Sequence, residues 1–164
     1  MFERFGDLPL HVLVIHAAVV VLPVAALTAI AFAVLPRWRW LLRWPALLLG
    51  VGAVVLAYVA KESGDAFVAA VPTLEQAVRE HKERGDLLFW FCLIFAAVAV
   101  AAFLLLGGPS ALASGKGAKA TRSKPLELVT SAAVVVIGVL VIWQTIRTGD
   151  AGAKAVWDGQ LPPK

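Results

Sequence analysis

The sequence predicts an all-α integral membrane protein, a four-helix bundle that forms a single domain over residues 1–164. Hydrophobic residues make up 60% of the chain and charged residues only 16%, whereas soluble domains carry roughly 45–50% and about 25%. The mean hydropathy is +0.84. Four apolar segments reach or approach the roughly 20 residues that a helix needs to cross a bilayer.

The first span covers about residues 10–35 and contains four breaks in its apolar pattern, at His11, His16, Pro23 and Thr28. No small-residue cleavage site follows a short apolar core. We therefore expect a retained helix and not a signal peptide.

The second span follows Pro45 and covers about residues 45–62, ending in the charged pair Lys61 and Glu62. Arginine and tryptophan alternate in the connection before it, residues 36–45. This composition is typical of a membrane interface, where tryptophan lies at headgroup depth and arginine reaches the aqueous layer.

The third span covers about residues 87–106 and follows a loop, residues 61–86, that mixes acidic and basic side chains. Thr73 and Gln76 fit the capping-box pattern that begins many helices. We therefore expect this loop to be partly helical from about Leu74 onwards.

The fourth span covers about residues 126–146 and follows a basic, flexible loop at 107–125 that is rich in Gly, Ser and Ala. Short basic loops stay in the cytoplasm. Both basic connections therefore predict that the N-terminus, the middle loop and the C-terminus face outward (N-out, C-out).

The net charge of +4 does not indicate nucleic-acid binding, because the basic residues lie at the ends of apolar segments. The lipid bilayer, with its anionic headgroups, is the expected partner. A single cysteine, Cys92, excludes an intrachain disulfide and a CxxC motif.

The three histidines are the strongest candidates for chemistry, because polar side chains inside spans are costly. Imidazoles from two helices are the usual axial ligands of a membrane b-type haem. We predict that His16 and His81 bind such a haem near the outer face. His11 lies near the same end of the first span, but five residues of helix turn its side chain about 140° away from that of His16. Aromatic walls would come from Phe89, Trp90, Phe91 and Trp143, and propionate partners from Arg79, Arg84 or Arg147.

Other interpretations stay open. A non-haem metal site would combine His16 and His81 with Glu62, Asp65 or Asp150. A proton path would use His16 as its titrating group. In a non-catalytic accessory or assembly subunit the histidines would only make structural hydrogen bonds. The sequence contains no motif of a hydrolase or nucleotide-binding site.

The chain resembles a family of bacterial membrane proteins, domain of unknown function 2231, in its actinobacterial form. The resemblance depends on Leu8–His11, His16, Glu80–His81 with Gly85, and Arg147–Trp157. Many relatives have Phe after the second histidine, where this chain has Ala17. The resemblance implies a multi-pass protein of the bacterial cytoplasmic membrane, and some relatives look to be fused to or neighbours of redox domains.

The leading hypothesis is therefore an electron-transfer protein with one b-type haem, acting with a redox protein or membrane complex, and with homo-oligomerisation open. Three histidines are too few for two bis-histidine haems.

Overall fold

A computed structural model describes residues 4–107 and 124–157 of the chain. Its helices are α1 (Leu10–Val34), α2 (Arg39–Ala70), α3 (Glu75–Leu105) and α4 (Lys124–Trp157). All four are long and apolar enough to cross a membrane. The predicted all-α membrane fold is confirmed. A minimal hairpin pairs Arg4–Phe5 with Leu8–Pro9 ahead of α1.

The helices form a closed ring in which each packs against its two neighbours, in the order α1, α2, α3, α4 and back to α1. Helices α1 and α3 therefore lie on one diagonal of the bundle. The core is built mostly from alanines with a few large side chains, including Leu22, Phe32 and Phe95. Many leucines, valines and isoleucines face outward, as expected of a surface that contacts lipid.

Helix α2 begins earlier than the sequence indicates. It starts at Arg39, after a 3-10 turn at Pro36–Trp38, and continues through Pro45. A membrane helix tolerates proline where neighbouring groups and small adjustments satisfy the freed carbonyl. The expected interfacial connection is therefore reduced to a single turn.

The middle loop is also shorter than expected, because α2 runs to Ala70 and α3 begins at Glu75. A 3-10 turn at Pro72–Leu74 joins them. No side-chain hydrogen bond caps α3, so the capping box does not form. The 32 residues of α2 give a length of about 48 Å at 1.5 Å per residue, against a hydrocarbon core of about 30 Å.

The two ends of the bundle differ in chemistry. At one end, which we call the histidine end because it contains His11 and His81, α1 and α3 begin while α2 and α4 end. At the opposite end, which we call the arginine end, α1 and α3 finish close to Arg39 at the start of α2. Most of the predicted basic loop, residues 108–123, lies outside the described residues.

Candidate functional site

The first turn of α1 places His11 against α2. Its Nδ1 lies 3.0 Å from the Ala60 carbonyl oxygen and 3.3 Å from Ser63 Oγ. A carbonyl oxygen can only accept a hydrogen bond, so Nδ1 is the nitrogen that donates. In the neutral imidazole this fixes the tautomer and leaves the lone pair on Nε2.

The second histidine of the site, His81, makes the matching contact between α3 and α4. Its Nδ1 lies 2.9 Å from the Thr148 carbonyl oxygen. By the same argument Nδ1 donates, and in the neutral ring the lone pair is then on Nε2. Each imidazole is thus held by the backbone of the next helix in the chain.

Glycine makes both contacts sterically feasible. A Cβ on Gly64 would lie 3.1 Å from His11 Cε1, and a Cβ on Gly152 would lie 2.9 Å from His81 Nδ1. Each glycine follows the accepting residue, Ala60 or Thr148, by four positions. The hairpins α1–α2 and α3–α4 therefore repeat one unit, consisting of a histidine, a carbonyl and a glycine.

The two imidazoles meet across the diagonal of the bundle. The centres of the His11 and His81 rings are 6.0 Å apart, and the ring planes are inclined at 74°. The structure therefore pairs histidines that are 70 positions apart in the chain.

A cavity of about 440 Å³ surrounds this pair at the histidine end. All four helices contribute to its lining, which is mainly small and aliphatic. Representative lining residues are Ile15, Ala18, Leu22, Ala57, Leu88 and Thr145. Phe67 and Trp157 are the aromatic side chains, apart from the histidines, among the described residues that line it.

Four alternating charges line the same cavity between α2 and α3. Lys61 Nζ lies 3.1 Å from Asp65 Oδ2 and 3.0 Å from Asp86 Oδ1. Lys82 Nζ lies 2.8 Å from Asp65 Oδ1. The order Lys82, Asp65, Lys61, Asp86 forms a continuous ion-pair network, which we call the rim network.

The expected pairing of His16 with His81 is corrected by this arrangement. The His16 side chain is exposed on the outer face of α1, does not line the cavity, and its Nδ1 bonds the Val12 carbonyl of its own helix. His11 takes its place opposite His81. The five-residue spacing predicts that the two α1 histidines face different directions, but not which one faces inward.

The predicted supporting residues also lie elsewhere. Trp90 and Trp143 are exposed, and neither they nor Phe89 and Phe91 line the cavity. The predicted arginines have other partners: Arg79 pairs with Glu83, Arg84 with Glu80, and the Arg147 guanidinium lies over the Trp143 ring. None of these three arginines lines the cavity, whereas Lys61 and Lys82 do.

Of the predicted carboxylate ligands, only Asp65 lines the cavity. Asp150 pairs with Lys154 at 2.7 Å on the exposed side of α4, and Glu62 is half-buried outside the cavity lining. Within residues 4–107 and 124–157, no three or more His, Cys, Asp or Glu side chains converge as a metal site.

The roles of the two glycines and the two lysines in the lining of the cavity were not predicted from the sequence. The four-residue spacing in Ala60–Gly64 and in Thr148–Gly152 is visible in the sequence, but it becomes meaningful only when a histidine is known to approach each glycine.

A family model described as "Predicted membrane protein (DUF2231)" matches residues 7–162. No curated protein and no solved structure matches the chain.

Proposed function

This chain belongs to the DUF2231 family of predicted membrane proteins, and we propose that it binds one b-type haem between His11 and His81 for electron transfer. The observation that carries the proposal is the pair of imidazoles, each held by its Nδ1 on a backbone carbonyl. Metal-binding histidines almost always donate their second ring nitrogen in this way, which orients the ring and raises its basicity.

The separation of the rings fits a shared metal ion. A metal–nitrogen bond to an imidazole is roughly 2.0–2.1 Å long, so two rings that share one ion have centres several ångströms apart. The observed ring centres are 6.0 Å apart. Gly64 and Gly152 leave the space that this placement of the rings requires.

The donor set favours haem over a non-haem metal. A porphyrin supplies four nitrogen ligands, so two protein ligands complete the iron site. A structural or catalytic non-haem site needs three or four protein ligands, and the described residues bring no such group together. The largely apolar cavity suits a flat hydrophobic ring system.

The residues of the chain would position and insulate the bound group. His11 and His81 would hold the iron, and the aliphatic part of the lining would contact the ring system. Haem bound here would supply one-electron redox chemistry. Because the site lies at one end of the bundle, we expect electron exchange with a redox partner at that end rather than conduction across the whole membrane.

Absorption spectroscopy of the detergent-purified protein tests this proposal. We expect haem added to the wild type to give a Soret band at one haem per chain. His11→Ala and His81→Ala should each lower haem affinity at least tenfold or change the spectrum, because each removes one ligand. Imidazole added to either variant should restore the wild-type spectrum.

His16→Ala is the matched control, since it removes the same side chain from the outer face of α1. It should leave haem binding unchanged. A wild type that gives no Soret band with excess haem, or variants of His11 and His81 that bind as the wild type does, would contradict the proposal.

A further inference from the structure

The two lysines that line the histidine cavity have no role in holding the imidazoles. Lys61 on α2 and Lys82 on α3 both reach its lining. They are also the only Lys or Arg side chains among the described residues that do so. Together with Asp65 and Asp86 they form the charged part of a lining that is otherwise mainly small and aliphatic.

The present partners of these lysines are the carboxylates of the rim network. Asp65 accepts from both lysines, and Asp86 accepts from Lys61. The Lys61 and Lys82 side chains keep 28% and 49% of their surface exposed. Ion pairs with this exposure contribute little to stability, so one carboxylate can exchange for another at small cost.

The charges are also placed on one side. The lysines come from α2 and α3, whereas α1 and α4 give the cavity aliphatic and small residues, among them Ile15, Leu22 and Gly152. A molecule in this cavity therefore meets the ammonium and carboxylate groups of the rim network on the side of α2 and α3, and mainly apolar surface on the side of α1 and α4.

We propose that Lys61 and Lys82 bind two carboxylate groups of the occupant, displacing Asp65 and Asp86 as their partners. The occupant is then an amphiphilic dicarboxylate with its acidic edge toward α2 and α3. This inference rests on the proposed function, in which the two carboxylates are the propionates of haem.

A pair of ligands that differ only in the carboxylates tests the inference directly. Iron protoporphyrin IX and its dimethyl ester share the metal and the ring system. Titrated into the full-length protein in detergent, the diacid should bind about tenfold or more tighter than the diester to the wild type, because charge-assisted hydrogen bonds are the stronger kind.

The double variant K61Q/K82Q should lose this preference while it still binds the diester as the wild type does. Lys154→Gln is the control, because Lys154 lies at the same end on α4, pairs with Asp150 and does not line the cavity. Asp65→Asn, which frees both lysines of a competitor, should strengthen binding of the diacid.

The outcomes separate the two proposals. Equal affinity of the wild type for both ligands, or an unchanged preference in K61Q/K82Q, overturns the role of the lysines and leaves haem binding in place. Failure of the wild type to bind either ligand overturns haem binding and this inference with it. If the double variant does not fold, Lys61→Gln and Lys82→Gln singly should each lose part of the preference.

Discussion

Single glycines decide how the imidazoles are held. At Gly152 the backbone approaches His81 so closely that a Cβ would lie 2.9 Å from Nδ1 and 3.0 Å from Cε1. Both atoms belong to a ring that is held by the Thr148 carbonyl. The ring, the carbonyl and the glycine therefore act as one geometric unit, and Gly64 with His11 repeats it.

Gly152→Ala should displace the His81 ring and break its hydrogen bond to the Thr148 carbonyl. Loss of this hydrogen bond lowers the free energy of unfolding by about 1 kcal/mol, and the higher helix propensity of alanine raises it by about the same amount. We expect a nearly unchanged unfolding temperature but at least a tenfold loss of haem affinity, measured by titration.

Gly52→Ala provides the comparison, because a Cβ there meets nothing within 4 Å and the position lies outside the cavity lining. Its haem affinity should equal that of the wild type. Equal affinities in the two alanine variants would show that the close approach at Gly152 has no role in the site.

The residue scale also shows where sequence reasoning ends. It predicted His81 and Asp65 near one face of the bundle, and both line the cavity. Sequence reasoning preferred His16 to His11 as the ligand because His16 lies deeper in the span. Helix α1 is apolar on nearly every side, so its sequence pattern does not indicate which face points inward; packing against α2 and α4 decides that.

At the scale of helices, the arginine end is stabilised by one buried side chain. Arg39 at the start of α2 donates from Nε to Phe32 O at 3.2 Å and from Nη2 to Ala33 O at 3.0 Å. Nη1 donates to Gly107 O at 2.6 Å. The last carbonyls of a helix lack partners within that helix and lie at the negative end of its dipole, so a cation stabilises them.

Arg39→Met should therefore destabilise the bundle by about 3–5 kcal/mol, because buried carbonyls and Glu127, 3.8 Å from Arg39 Nη1, lose their cationic partner. Thermal unfolding in detergent measures the effect. The folded fraction should still bind haem, since Arg39 lies at the end opposite the histidines.

Arg37→Met serves as the reference, because Arg37 is exposed in the 3-10 turn two positions earlier. It should change stability by less than about 0.5 kcal/mol, as surface substitutions usually do. Similar unfolding temperatures for the two variants would mean that Arg39 does not hold the helix ends together.

Glycines within the spans differ in what surrounds them in the bundle. A Cβ on Gly50 would lie 2.8 Å from Ala99 Cβ, and one on Gly138 would lie 3.0 Å from Ile30. Gly52 has no such neighbour. Small residues in a span favour close helix packing, but the register that selects individual glycines depends on the assembled bundle.

At the scale of the whole molecule, the bundle consists of two helical hairpins that each contribute one anchored histidine. The sequence shows no internal repeat, because the repeated unit consists of one side chain, one backbone carbonyl and one glycine. Every residue has a backbone carbonyl, so the sequence does not show which of them accepts a hydrogen bond from a histidine. The four spans were predictable from apolar length, whereas this correspondence between hairpins was not.

The direction of the bundle in the membrane is predicted from its basic loops, with the histidine end outward. In a Cys92→Ser background, Thr73→Cys in the α2–α3 connection should react with a membrane-impermeant maleimide added to intact cells without an outer membrane barrier. Ser114→Cys in the basic loop should react only after permeabilisation. The opposite labelling pattern would place the histidine end in the cytoplasm.

The most direct test of the account is the electron paramagnetic resonance spectrum of the ferric, haem-loaded protein. Two imidazole ligands predict a low-spin signal in the wild type and in His16→Ala, replaced by a high-spin signal in His11→Ala and His81→Ala. A low-spin signal that persists without His11 or His81, or that disappears when His16 is replaced, would contradict the pairing of His11 with His81 as the binding site.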